Sequence, residues 1–290
     1  MVLDRTGASA LKRWGRRPAT PPLDGSPRLA LVTVNFSTTR YLELMLLTLA
    51  EQERLDLVER IVVVDNGSRD GGIELLRQLA AEIPRLHLVE RRHRLTHGAG
   101  MRAGVRALDR LDAGSARPAN VVLFCDADVV FRDRRALATV AEAIAETSAA
   151  LVGEVRAGAN AELDIQASFF AVRRDVLARR DIAPLVHDGA PAYRMQRSIW
   201  AAGLPVVNLP TNHGGLILHR GRAGVEAAAR FRPRHQYARV TTSPHFMGVP
   251  GGAAIWAEVE ARWADLLEPA AADELVARLV DRLAGLGATS

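Results

Sequence analysis

Two aspartates one residue apart, Asp126 and Asp128, stand at the end of an apolar run, Val121-Val122-Leu123-Phe124-Cys125. A run of this length with β-branched residues reads as a strand buried on both faces. Carboxylates cannot stay inside such a strand, so they belong where it leaves the sheet. Residues i and i+2 of an extended chain project to one side, which makes the two carboxylates converge. Converging carboxylates repel unless a cation joins them, and hard oxygen donors favour Mg²⁺ or Mn²⁺. For the pair alone, the competing reading is an N-cap aspartate beside a solvated one. Two further clusters attract notice. Asp65-Asn66-Gly67-Ser68-Arg69-Asp70 follows the run Ile61-Val62-Val63-Val64 without a break. Gly98, Gly100 and Gly104 open a helical pattern, where glycine either admits a ligand to backbone amides or lets helix and sheet pack closely.

The elements that carry these residues alternate. Leu29 to Val34 is a strand ending at Asn35, and Tyr41, Leu42, Met45, Leu46 and Leu49 then recur at helical spacing. The β-branched run at 61–64 is a second strand, and Ile73, Leu76, Leu79 and Ile83 mark the next helix. Leu86 to Val89, the glycine-led helix carrying Val105, Leu108 and Leu111, and the strand at 121–125 complete the series. Four repeats of strand and helix imply an α/β fold with a mostly parallel sheet covered on both faces. Open sheets of this kind bind ligands beyond the carboxyl ends of their strands. Further on, the patterns predict helices over 134–147, 193–202, 253–267 and 270–286, and strands over 150–155, 168–172, 204–209 and 216–219. Trp256, Val259, Trp263 and Leu266 make one apolar stripe near the end, suited to the core, a dimer face or an acceptor lid.

Composition narrows the class. The 290 residues are 48% hydrophobic and 24% charged, as in an ordinary globular protein. No stretch is apolar enough for long enough to span a bilayer, and the start lacks the apolar core of an export signal. The formal charge is +5, carried almost wholly by arginine, with Lys12 the single lysine. Arginine forks suit phosphates. The arginines are nonetheless scattered and aromatics are few, which argues against nucleic acid as a partner. The one cysteine, Cys125, permits no internal disulfide and fits a reducing, cytoplasmic setting. Residues 1–27, rich in arginine, proline and glycine, read as a disordered basic leader. Residues 28–222 read as the main α/β domain, and 223–290 as a helical extension packed on it.

The ordered set of motifs resembles the family 2 glycosyltransferases of the GT-A fold. Val34-Asn35-Phe36 looks like the end of that family's first strand. Val63-Val64-Asp65-Asn66-Gly67-Ser68-Arg69-Asp70 looks like its second-strand motif, and Asp126-Ala127-Asp128 like its DxD. The resemblance implies metal-dependent, inverting transfer of a hexosyl group from a nucleotide-sugar, with Mg²⁺ or Mn²⁺ as cofactor. Donor contacts would come from Val34, Asn35, Asp65, Asn66, Ser68, Gly98, Arg102 and Asp126. Arg102 would reach a phosphate or lie solvated on its helix. Asp128 and Asp126 would hold the metal, joined by His219 or His213 near the place where relatives carry a histidine ligand. The acidic pair expected before an arginine is missing here. Asp188 is therefore the expected general base, with Asp164 next in line, and His235 and His245 fall in a possible acceptor lid. The acceptor would be a small molecule, a peptide or a lipid-linked glycan, and the C-terminal helices offer a surface for a homodimer. Two rival classes remain at this stage. A nucleotidyltransferase would need a glycine-rich basic loop after the first strand, where this chain has Asn35-Phe36-Ser37-Thr38-Thr39. A non-catalytic sugar-binding relative would explain the missing acidic pair.

Overall fold

The computed structural model describes residues 23–93, 96–155, 164–186, 191–231 and 242–284. Asp188, His235 and most of the basic leader fall outside them. Strand β1 (Leu29–Asn35) leads to helix α1 (Thr39–Leu49), β2 (Val58–Asp65) to α2 (Ile73–Glu82), and β3 (Leu86–Glu90) to α3 (His97–Leu111). Strand β4 (Val121–Cys125) passes through the short β5 (Val129–Phe131) to α4 (Ala136–Thr147). Then come β6 (Leu151–Val155), β7 (Ile165–Arg173), the single turn α5 (Arg174–Leu177), α6 (Tyr193–Ala201), β8 (Val206–Asn208), β9 (Ile217–His219) and α7 (Ala223–Phe231). Helices α8 (Gly252–Arg262) and α9 (Ala272–Ala284) follow.

Seven strands form one sheet in the order β3-β2-β1-β4-β7-β6-β8. The first four are parallel, as the strand–helix alternation requires. β7 is the exception, running antiparallel to both β4 and β6. It also starts at Ile165, three residues before the expected Ser168, and this extra length reaches the rim where β4 ends. Alternate residues of the central strands feed two cores. Leu29, Leu31, Ile61, Val63 and Leu123 pack with α1, α2, α4, α8 and α9, while Ala30, Val32, Val62, Val64 and Phe124 pack with α3 and α6. The sheet is thus covered on both faces.

Two glycines of α3 serve that packing. A Cβ on Gly104 would lie 2.4 Å from Val32 Cγ1, and one on Gly100 would lie 2.9 Å from Val34 Cγ1. Cys125 is 2% exposed at the end of β4. Burial pushes its thiol pKa well up, and the neighbouring Asp126 and Asp128 add to the effect. The Trp stripe faces inward, since Trp256 and Trp263 are buried in the first core with Val259 and Leu266 packed against it. The expected helix over 253–267 stops at Arg262 and ends in a separate 3₁₀ turn, Asp265–Leu267. Among the described residues, no helix is long and apolar enough to cross a membrane.

Candidate active site

The rim of the sheet is built by one tight turn. Asp126 N–H donates to the Ser168 carbonyl at 2.8 Å, and Val129 N–H donates back to the Asp126 carbonyl at 3.2 Å. The chain therefore reverses into β5, which pairs antiparallel with β9 so that Val129 lies opposite His219. This pairing brings an imidazole to the carboxylates from 91 residues away. His219 Nε2 lies 3.1 Å from Asp128 Oδ1 and 3.7 Å from Asp126 Oδ2. The other Asp128 oxygen accepts Ala223 N–H at 3.2 Å, and the other Asp126 oxygen lies 3.2 Å from His97 Nε2.

One donor atom from each of Asp126, Asp128 and His219 falls within 4.8 Å of the others. Two carboxylates and an imidazole suit a divalent ion such as Mn²⁺ or Mg²⁺. Burial disfavours charge on both His219 and Asp128, yet each favours charge on the other. The imidazole pKa is raised by Asp128 and Asp126. The Asp128 carboxyl is held below its usual range by His219, the Ala223 amide and Arg220.

These groups form the floor of a cleft of about 440 Å³. Val34, Phe36, Thr38 and Asn66 make one wall, at the ends of β1 and β2. Asp164, Gln166 and Ser168 face them from the start of β7, backed by Tyr193 and Gln196 of α6. Gln196 is buried and ties α6 to β7 twice, accepting from Ile165 N–H and donating to the Ile165 carbonyl, each at 2.7 Å. Arg222, His245 and Met247 complete the lining.

The expected residues divide into those in the cleft and those behind it. Val34, Asn66, Asp126, Asp128 and His219 line it, and so do Asp164 and His245. Asn35 and Asp65 are buried, at 0% and 4% exposure, and hold the loops together. Asn35 Oδ1 accepts from Thr38 N–H and Oγ, and its Nδ2 donates to Asp65. Asp65 Oδ1 accepts Gly67 and Ser68 N–H, each at 3.1 Å. Ser68 Oγ accepts Ser37 N–H at 2.8 Å. Gly98 is buried in the first turn of α3. Arg102 donates to the Leu185 carbonyl and does not line the cleft. The His213 ring turns to the buried Glu154, so that β9 supplies His219 alone of the two candidates to the carboxylate cluster.

Five polar cleft residues are not singled out by the sequence patterns: His97, Gln166, Ser168, Gln196 and Arg222. His97 immediately precedes the glycine run that was noticed. Gln166 and Ser168 share the i, i+2 spacing with Asp164 that marks one face of a strand. Gln196 and Arg222 sit in a helix and a turn with no such signal.

A largely parallel sheet with an acidic pair at its rim, joined by a histidine from a separate two-stranded antiparallel ladder, defines a glycosyltransferase of GT-A architecture. Residues 31–201 match the family described as Glycosyl transferase family 2, and the chain belongs to that family. Its fold is similar to that of the mannosyltransferase PcManGT from Pyrobaculum calidifontis, solved in complex with GDP-Man and Mn²⁺. The two share 18% identity over 99% of this chain and 83% of that one, with a TM-score of 0.50. S. aureus TarS 1-349 in complex with UDP-GlcNAc is also similar, at 13% identity over 89% of this chain and 90% of that one, TM-score 0.50. No curated protein sequence matches the chain.

Proposed function

We propose that the protein is a metal-dependent, inverting hexosyltransferase that uses a nucleoside diphosphate sugar and an acceptor hydroxyl. The observation that carries the reading is the convergence of Asp126, Asp128 and His219 on the floor of a cleft whose opposite wall presents Asp164. GDP-Man and UDP-GlcNAc in the similar structures are both donors of this chemical class. Asp126, Asp128 and His219 would hold a divalent ion, which when bound would supply positive charge to the departing diphosphate. The remaining steps belong to the chain. Val34, Phe36 and Thr38 flank the nucleoside, and Asn66 offers an amide to it. Asn35 and Asp65 fix these loops in place and act through them.

Inversion requires one in-line displacement with a base on the acceptor side. Asp188, the expected base, lies outside the described residues. Among the described residues, Asp164 is the one carboxylate besides Asp126 and Asp128 that lines the cleft. We therefore assign it the acceptor proton. Asp164→Asn should lower turnover at least a hundredfold with little change in donor affinity. If Asp164→Asn retains turnover and Asp188→Asn loses it, the role passes to Asp188. A thermal-shift panel of nucleoside diphosphates with and without Mn²⁺ tests the reading as a whole. We expect one diphosphate to stabilise the protein, and only with the metal present. Equal stabilisation after chelation would remove metal dependence from the proposal.

A further inference from the structure

We propose that Arg222 is the side chain that receives the charge of the leaving diphosphate, which rests on the glycosyltransferase reading above. Among the described residues lining the cleft it is the one arginine, and no lysine lines it. Its guanidinium makes no ion pair or hydrogen bond to any described residue. The contrast with its neighbour is direct, because Arg220 is bound to Glu226 at 2.9 Å and lies over the Tyr41 ring at 4.6 Å.

The turn that presents Arg222 is fixed to the acidic site from both sides. Arg220 N–H donates to the Asp128 carbonyl at 2.9 Å, and Ala223 N–H donates to the Asp128 carboxylate at 3.2 Å. Between them, Gly221 and Arg222 both take left-handed backbone, with φ of 74° and 73°. Position 221 admits nothing larger, since a Cβ there would lie 2.3 Å from His245 Nε2. The Arg220 carbonyl in turn accepts His245 and Phe246 N–H at 3.2 and 3.0 Å. The guanidinium is thereby carried to the cleft by the same turn that engages Asp128.

Charge balance gives this cation a task. The carboxylates of Asp126 and Asp128 would formally neutralise a divalent ion held at this cluster, which would leave the diphosphate's own charge uncompensated. That charge grows as the anomeric carbon–oxygen bond breaks. Its electron pair goes to the phosphate oxygen, the acceptor oxygen bonds to the carbon, and the acceptor proton goes to the base. A guanidinium fork matches two phosphate oxygens and stays charged throughout.

The test uses the full-length protein, with GDP and UDP titrated calorimetrically in the presence of Mn²⁺. Glycine accepts left-handed backbone freely, so Arg222→Gly removes the cation while keeping a melting temperature at or above that of the parent. We expect Arg222→Gly and Arg222→Gln to bind the preferred diphosphate roughly tenfold or more weakly, and Arg222→Lys to recover part of the loss. Folded variants that bind it as the parent does would overturn the role of Arg222 and leave the glycosyltransferase reading standing. A parent that binds neither diphosphate in Mn²⁺ would overturn both.

Discussion

At the scale of single residues, the site depends on one carboxylate and one imidazole, each of which favours charge on the other against the cost of burial. In the metal-free protein the raised imidazole of His219 adds stability that is fully present below its unfolded pKa and is lost as pH rises through the folded one. The lowered carboxyl of Asp128 adds stability that is present above its unfolded pKa and is lost as pH falls through the folded one. A divalent ion needs the imidazole without its proton. Mn²⁺ should therefore bind more tightly at pH 8 than at pH 6, releasing a proton that calorimetry in two buffers would detect. Asp128→Ala should abolish sugar transfer while the far-ultraviolet circular dichroism spectrum is unchanged. The Asp126–Asp128 pair was legible in the sequence because period-two projection from a strand end is a local rule. Asp65 and Asn35 were harder to place, because the same turn chemistry serves a ligand or a loop. Only the tertiary structure shows their polar atoms already engaged. His213 and His219 were indistinguishable for a similar reason, until the pairing of β5 with β9 turned one ring to Asp128 and the other to Glu154.

At the scale of elements, close packing and one acidic side chain give sharp expectations. Gly104→Ala places a methyl 2.4 Å from Val32 Cγ1. The helix gains up to about 1 kcal/mol of propensity, but overpacking costs about 1–3 kcal/mol, so urea unfolding should show a net loss. Glu43 on α1 has its pKa pushed up to about 7, chiefly by burial, with Arg40 opposing and Asp70 assisting. A raised carboxyl pKa means that the fold binds the proton more tightly. Stability should thus fall between pH 4.5 and about 7. Glu43→Gln should flatten that slope and raise stability at pH 8 by up to about 3 kcal/mol. The parallel half of the sheet was readable from β-branched runs alternating with helical stripes. The reversal of β7 was not, because strand direction leaves no mark on an apolar run. Helix α7, nine residues long, was also not predicted from the sequence, although it carries an amphipathic pattern. Strand β5 has only three residues, too short for any pattern.

At the scale of the whole molecule, the last two helices are part of the main core. Trp256 is 4% exposed and meets Tyr41 of α1 edge-on, with ring centroids 6.1 Å apart. Trp256→Ala should cost about 3–5 kcal/mol, read as a shifted urea midpoint with the chain still unfolding in one transition. A dimer formed through the C-terminal helices would have to use their outer faces, because the apolar stripe is already covered. The one sulfhydryl of the chain gives a way to watch this core. Cys125 ends the middle strand of the sheet, hidden from solvent and held protonated chiefly by its burial, with Asp126 and Asp128 adding to the effect. Alkylating reagents added to the native enzyme should leave its mass unaltered for as long as β4 keeps its partners. Each modified molecule then records a past opening of the sheet's centre, and the rate of labelling becomes a clock for that event.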